Sequence, residues 1–347
     1  MKIWDAIISG AGIIGVSLAL ELRERGAHVL VLDREEPGQE ASSAAAGMLA
    51  ATDPETPVKL RPLAYASARL YPQFVEKLER LSGVRTDFRR GAIALLPDAV
   101  VPAEYRLLSA AELQKLEPAI RAGGYLAAIL ENEDSVDPHL LMRAALFAAR
   151  AAGIEFRGRT TVQQMRPGEG QIEVIAGNDR FLARTAVNCQ GAWSGAPVRP
   201  RKGQMLYLQP ETPGLLRRVL RSPEVYLVPR SSGKILVGAT VEDAGFDKTV
   251  DQEVIHNLHR SAAQFVPQLA SAAVLSSWAG LRPGTPDGLP ILGETETSGV
   301  FIASGHFRNG ILLAPITARI LADLILHQSP EQDISAFSPA RFANVAT

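Results

Sequence analysis

Gly10-Ala11-Gly12-Ile13-Ile14-Gly15 is the first stretch of the chain whose residue types and spacing imply chemistry. In a Gly-x-Gly-x-x-Gly turn the first glycine permits a sharp exit from a strand. The second lets backbone amides approach a pyrophosphate, and the third lets helix and strand pack closely. The phosphates then sit at a helix N-terminus, where free N–H groups and the helix dipole favour negative charge. Asp33 ends the next apolar run, and an acid there accepts hydrogen bonds from ribose hydroxyls. It also repels a 2′-phosphate, which disfavours NADP, although Arg34 follows at once and weakens that inference. The competing reading is a glycine-rich turn in a non-binding unit. These residues leave both NAD and FAD open.

A second set of candidates lies in the C-terminal half. Arg282 stands in the run Trp278-Ala279-Gly280-Leu281-Arg282-Pro283, whose other residues are uncharged. An unpaired buried charge is costly, and a planar guanidinium matches the two oxygens of a carboxylate. Tyr226, in Val225-Tyr226-Leu227-Val228-Pro229, has a phenol that donates a hydrogen bond. Arg308 and His306 fall in Gly305-His306-Phe307-Arg308-Asn309-Gly310-Ile311-Leu312. Backbone N–H groups there, at the start of a helix, suit an electron-rich ligand edge. The bland alternatives are a surface ion pair for Arg282, core filling for Tyr226 and a structural role for Arg308. The small residues Ala44-Ala45-Ala46-Gly47 let backbone lie against a planar ring, and Ser42 and Ser43 just before them can donate to phosphate oxygens. A merely packed helix is the competing reading.

The elements that must hold these groups follow from pattern. Residues 3–9 read as a buried parallel strand, 16–25 as a helix stopped by Gly26, and 28–33 as a second strand, one complete β-α-β unit. A pair of helices is expected over 61–82, a strand over 88–96 and a mixed stretch over 97–124. Asp137-Pro138 marks a helix start, with Asp as N-cap and Pro at the first position. Segments 154–156, 162–165, 172–175, 181–183 and 186–189 suggest an antiparallel meander returning to the first sheet. Residues 202–208, 225–229 and 235–241 read as strands of a separate, larger sheet. Helices are expected over 251–265 and 314–327.

Composition sets the bounds. The chain has 347 residues, beyond the usual size of one compact domain. Its net charge of −1 gives nucleic-acid binding little support. The one cysteine, Cys189, cannot form an internal disulfide and fits a reducing, cytoplasmic setting. No secretory leader or membrane span is expected, and no metal-ligand set stands out.

Several of these motifs together resemble the D-amino-acid oxidase (DAO) family, and within it the glycine-oxidising members linked to thiamine biosynthesis. The runs 42–49, Asn188-Cys189-Gln190-Gly191-Ala192-Trp193, 225–230, 278–288 and 305–315 carry the likeness, which spans the chain. The resemblance implies an α/β (α+β) fold, with a Rossmann-like FAD-binding domain and an antiparallel-sheet substrate domain, the chain crossing between them. The expected division gives 1–85, 136–195 and 276–347 to the first and 86–135 and 196–275 to the second. It implies non-covalent FAD, since covalent relatives attach it through a cysteine in the C-terminal part. Gly10, Gly12, Ile13, Ile14, Gly15, Asp33, Arg34, Ala41, Ser42, Ser43, Ala46, Gly47, Met48, Val162, Gly191, Trp193, His306, Arg308, Asn309, Gly310, Ile311 and Leu312 would then contact the cofactor. Arg282 becomes the substrate carboxylate clamp, aided by Tyr226 and Arg308.

The implied reaction is hydride transfer from the α-carbon of a small amine to flavin N5, with no side-chain base, and reoxidation by O2 to hydrogen peroxide. Glycine, sarcosine or D-alanine is the expected substrate, and the imine would serve thiamine thiazole synthesis. Val241 stands where such glycine oxidases often carry methionine. The alternatives are a D-amino-acid dehydrogenase using a quinone and a non-catalytic flavin-binding module. Relatives are often homo-oligomeric.

Overall fold

A computed structural model of the chain describes residues 2–97, 101–102, 105–195 and 197–343. Parts of the expected mixed stretch 97–124, namely 98–100 and 103–104, lie outside the described residues, as do positions 1, 196 and 344–347 of the expected domain division.

Followed along its length, the chain crosses repeatedly between two sheets. It begins with β1 (Ile3–Ser9), α1 (Ile13–Glu24) and β2 (Val29–Leu32), then passes through a short α2 (Ala41–Ala44) to β3 (Met48–Leu49) and a long α3 (Arg61–Ser82). The hairpin-rich segment β4 (Arg89–Leu96), β5 (Arg106–Leu108), α4 (Ala110–Leu116) and β6 (Leu126–Ser135) follows. The chain returns through α5 (Pro138–Ala151), β7 (Glu155–Arg157), β8 (Gln164–Pro167), β9 (Ile172–Ala176) and β10 (Asp179–Asn188). It leaves again as β11 (Arg199–Gln209), β12 (Val219–Arg221), β13 (Tyr226–Pro229), β14 (Ile235–Gly238), α6 (Gln252–Phe265) and β15 (Ala273–Gly284). It closes with β16 (Ile291–Glu294), β17 (Val300–Ser304) and α7 (Gly310–Ile325).

Among the described residues the strands form an eight-stranded and a nine-stranded sheet. The first is ordered β16-β17-β10-β1-β2-β7, with β8 and β9 added beside β10. β1 pairs in parallel with β2 and β10. The central strand β2 is apolar throughout because both of its faces are covered. Val29 and Val31 of β2 face the cluster with α1, α3, α5 and α7, while Leu30 and Leu32 face Val162, Val174 and Phe181. The second sheet, β15-β11-β14-β13-β12-β4-β6-β3, is mostly antiparallel and packs α6 on one face.

Five expectations need correction. Residues 61–82 form one 22-residue helix, not a pair. Pro72 removes one N–H from its ladder, but Leu63, Ser67, Tyr71, Val75 and Leu78 form one continuous buried stripe, which keeps the helix whole. The expected meander is only partly antiparallel: β7 pairs in parallel with β2, and 181–183 and 186–188 belong to the single strand β10. Val162 precedes β8 rather than lying within it. β15 joins the second sheet along β11, so position 276, the expected boundary, falls inside a strand. α7 begins at Gly310, one turn before the expected start. Pro315 lacks the N–H that would bond the Ile311 carbonyl, and the Tyr71 hydroxyl donates to that carbonyl instead at 3.1 Å.

Candidate active site

A cavity of about 1220 Å³ runs from the β1–α1 turn to the face of the second sheet. Small-ligand pockets are roughly 300–1,000 Å³, so this one suits an elongated ligand. Its lining includes Gly10, Gly12, Ile13, Ile14, Asp33, Arg34, Ala41, Ser42, Ala46, Gly47, Met48, Val162, Gly191 and Trp193. His306, Arg308, Asn309, Gly310, Ile311, Tyr226 and Arg282 complete the set of expected residues that border it.

Three expected residues do not border it. Gly15 packs on β1 and the turn: a Cβ there would strike the Gly10 carbonyl oxygen and approach Ile8 to 3.2 Å. Its part is therefore the close strand–helix approach. The Ser43 hydroxyl donates to the Gly38 carbonyl, so its donor is spent within the loop. Leu312 is buried in the helical core, and its carbonyl accepts from Ser67 Oγ at 2.5 Å.

At the β1–α1 end, Gly10 has φ +108°, which only glycine adopts without strain. α1 begins at Ile13 after the N-cap Gly12, which has no side chain to cap the helix, so apart from the Ile13 N–H its first N–H groups keep their bonding capacity. Ser42 Oγ accepts from Ile13 N at 2.9 Å and ties residues 41–48 to this turn. Asp33 Oδ2 accepts from Ala11 N at 2.6 Å and Oδ1 from Glu35 N at 2.9 Å. Burial raises its pKa, against the pull of those two N–H groups. Arg34 lies 3.9 Å from the Trp193 ring centroid and pairs with Glu40 at 3.4 Å. The Val162 carbonyl accepts from Gln190 Nε2 at 3.2 Å, so its backbone is engaged on that side.

The small-residue segment is held from behind. Buried Arg230 donates through Nη2 to the Ala46 carbonyl at 2.7 Å and through Nη1 to that of Val136 at 2.8 Å. Trp278 Nε1 donates to the Ala44 carbonyl at 3.1 Å. Two side chains of the second sheet thus hold a loop of the first layer against the cavity.

His306 is buried, its Nε2 3.1 Å from Thr317 Oγ1. Desolvation pushes its pKa down to about 3. The imidazole is therefore neutral at physiological pH, and α7 begins just beyond it with no side-chain cap on Asn309.

Arg282 and Tyr226 meet at the far end. Arg282 sits on β15, half-buried, and Nη1 donates to the Thr240 carbonyl at 3.0 Å and to that of Lys202 at 3.5 Å. Among the described residues no carboxylate pairs with it. Its guanidinium lies across Gly203, where any Cβ would collide with it. Tyr226 crosses Gly238 in the same way, its hydroxyl 2.6 Å from where a Cβ would stand. Burial raises the Tyr226 pKa, and the positive charge of Arg282 only partly opposes this. The hydroxyl stays protonated and donates to Met205 Sδ at 3.4 Å, a weak acceptor that a carboxylate would displace.

Arg308 departs from expectation. Its guanidinium is engaged by Glu55 at 2.6 Å and Asp53 at 3.2 Å, so it offers no unpaired positive charge. The Asp53 carboxylate also binds Arg221 at 3.1 Å, and Arg221 reaches Glu133 at 2.5 Å. Burial opposes the Arg221 charge, but Glu133 and Asp53 more than offset it. Tyr105 donates to the Thr52 carbonyl at 2.8 Å beside them. Arg221, Asp53 and Tyr105 all border the cavity and were missed in the sequence. Nothing in the sequence set Arg221 apart, since Arg217, Arg218 and Glu224 stand within four residues of it.

Residues 5–324 match the model of the DAO family, FAD dependent oxidoreductase. The chain is 33% identical to a glycine oxidase of Geobacillus kaustophilus, covering 97% of both. It is 36% identical to the bifunctional protein ThiO/ThiG of Trichormus variabilis over 99% of its own length, and spans 56% of that protein. The chain thus spans about half the length of such curated relatives. The crystal structure of the Geobacillus kaustophilus glycine oxidase superposes with a TM-score of 0.91 at 31% identity, covering 97% of this chain and 98% of that one. With a family match over most of its length and the dinucleotide turn opening onto one long cavity, this chain belongs to the DAO family of FAD-dependent oxidoreductases.

Proposed function

We propose that this protein oxidises a small amino acid, with glycine as the preferred substrate and sarcosine and D-alanine as related ones. One observation carries the reading: Arg282, anchored through one nitrogen to two backbone carbonyls, borders the cavity with no carboxylate partner among the described residues. A fixed, unpaired guanidinium beside a phenol is a receptor for a carboxylate.

The residues present fit FAD. The start of α1, whose N-cap Gly12 has no side chain, suits the pyrophosphate together with Gly10, and Asp33 suits the ribose. Residues 44–47, all Ala or Gly, and the uncapped start of α7 suit a planar ring and its electron-rich edge. Desolvation pushes the Cys189 thiol up to about 12, so it stays protonated and unfit for a covalent link to the cofactor.

FAD, when bound, supplies the acceptor for the hydride leaving the substrate α-carbon and passes the electrons to O2, which leaves as hydrogen peroxide. In this reading Arg282 binds the substrate carboxylate through its free nitrogens, and Tyr226 donates to the same group. His306, neutral and turned to Thr317, takes no proton from the substrate. Arg308, held by Asp53 and Glu55, contributes backbone rather than charge. Catalysis rests on orientation in a confined site. Val241 borders the cavity and is 54% exposed, so that wall is open enough for a substituent larger than hydrogen.

The imine product either hydrolyses to a keto acid and ammonia or enters thiazole assembly in thiamine synthesis, a use supported by the ThiO/ThiG relatives. The reading places the enzyme in the cytoplasm; no helix among the described residues is long and apolar enough to cross a membrane. The test is anaerobic addition of glycine, sarcosine or D-alanine to purified holoenzyme, followed by peroxide assay in air and assay with an artificial acceptor. Bleaching of the flavin band with glycine, and peroxide in air, is expected. No bleaching with any of the three sinks the proposal, and bleaching without peroxide sinks its oxygen step.

A further inference from the structure

The connection from β14 to α6, residues 239–251, belongs to the second sheet by sequence yet touches the first layer at its tip. Phe246 is 54% exposed, unusual for an aromatic ring at a loop tip, but its ring lies 5.4 Å from that of Trp193. Trp193 borders the cavity, and the Arg34 guanidinium rests on the same indole at 3.9 Å. Two residues on, Lys248 Nζ pairs with Glu40 at 3.2 Å. Glu40 borders the cavity as well and also holds Arg34. One loop therefore engages two cavity-wall residues by two different interactions, and Arg34 joins them into one cluster.

The loop's own shape is set from the other side. Lys202 and Glu242 exchange backbone hydrogen bonds, at 3.0 and 2.9 Å. Buried Lys202 reaches Asp247 at 3.3 Å, and Asp247 accepts from Thr249 N at 2.8 Å. Gln204 Oε1 accepts from Asp251 N at 2.7 Å. The tip is thus carried on a braced arm rather than lying loose on the surface.

We propose that residues 239–251 are a clasp that retains FAD by closing the adenosine end of the cavity, with Phe246 and Lys248 as its contacts. The inference rests on the cofactor placement proposed above, in which Asp33, Arg34 and Val162 mark that end. Release of the nucleotide requires Arg34, Trp193 and Glu40 to yield. Phe246 and Lys248 hold those three residues from the second layer, so parting the clasp precedes escape. Phe246 and Lys248 at the tip pair with Trp193 and Glu40, whereas Arg282 is held at the base of the same loop by the Thr240 carbonyl, so FAD release rather than turnover is the readout that isolates the tip.

The experiment follows FAD release from diluted holoenzyme by recovery of flavin fluorescence, for wild type, Phe246→Ala, Lys248→Ala, the double variant, Phe246→Tyr and Lys248→Arg. The double alanine variant is expected to release FAD about tenfold faster, the sum of one aromatic pair and one exposed ion pair. Each single alanine variant gives part of this, and the conservative variants stay near wild type. Raising the salt concentration accelerates wild type but not Lys248→Ala. Unchanged release in the double variant overturns the clasp, as does acceleration by Phe246→Tyr equal to that by Phe246→Ala. Lys248→Ala, a surface change, keeps the test open if Phe246→Ala fails to fold. Wild type that purifies without FAD and binds none would instead overturn the cofactor placement.

Discussion

At position 282 an arginine crosses the backbone of β11 because position 203 has no side chain to block it. Two consequences separate the charge from its aim. Arg282→Ala removes the guanidinium, and capture of an amino-acid substrate should weaken by about 2–5 kcal/mol, the range for losing one partner of a buried charge pair. FAD content should stay at the wild-type level; normal substrate affinity in this variant would rule out the clamp. Gly203→Ala keeps the charge but displaces it, so KM should rise in the same direction while the protein remains folded and yellow. His306 makes a prediction of a different kind. Unfolded, its imidazole takes up a proton near the ordinary 6.5; folded, burial delays this to about pH 3. Between these values the unfolded state binds more protons, so stability falls as pH drops from 6.5 towards 3. Replacing His306 by Asn should flatten that decline in urea-unfolding midpoints measured from pH 7 to pH 4, whatever it does to stability at pH 7. An unaltered decline would show that other groups cause it.

At the scale of elements, what matters is which segments hold the cavity walls together. Asp53, on the loop between β3 and α3, joins Arg308 at the start of α7 to Arg221 at the end of β12. The side chains of Asp53 and Arg221 are only 13% and 16% exposed, so the charges are poorly screened and leaving one unpaired is costly. Asp53→Asn should therefore lower stability by about 2–4 kcal/mol, below the loss for a fully buried pair because Arg221 keeps Glu133. Differential scanning calorimetry of the FAD-loaded protein checks this, and an unchanged midpoint would mean that the network adds no stability. Arg230 and Trp278 act on residues 44–47 from the second sheet in the same manner, with neutral carbonyl acceptors in place of carboxylates.

Over the whole molecule, the two sheets share one cavity and the chain passes between them several times. A ligand held by residues of both layers should stabilise them together. Adding FAD to apoprotein at about one hundred times its Kd should add about 2.7 kcal/mol of stability. It should also raise the midpoint of a single cooperative transition. Two separated transitions, only one of them shifted by FAD, would show that the cavity belongs to one layer alone.

Much of this was legible in residue order because the relevant physics is local. Gly10, Gly12 and Gly15 announce a tight strand–turn–helix unit through backbone geometry and spacing alone, and Asp137-Pro138 announces a helix start for the same reason. The helical character of residues 61–82 was legible too, although packing makes one helix of the expected pair. Partnership between distant residues was not legible. Sequence order cannot say that Arg308 is neutralised by Asp53 and Glu55 while Arg282 is left with backbone carbonyls, because ion pairing depends on which loops the fold brings within 4 Å. The same holds for Ser43, turned into its own loop, and for Phe246, whose exposed ring finds Trp193 only across the two layers. Local turns and caps are decided by neighbours in the chain; the charge state and aim of the site are decided by neighbours in space.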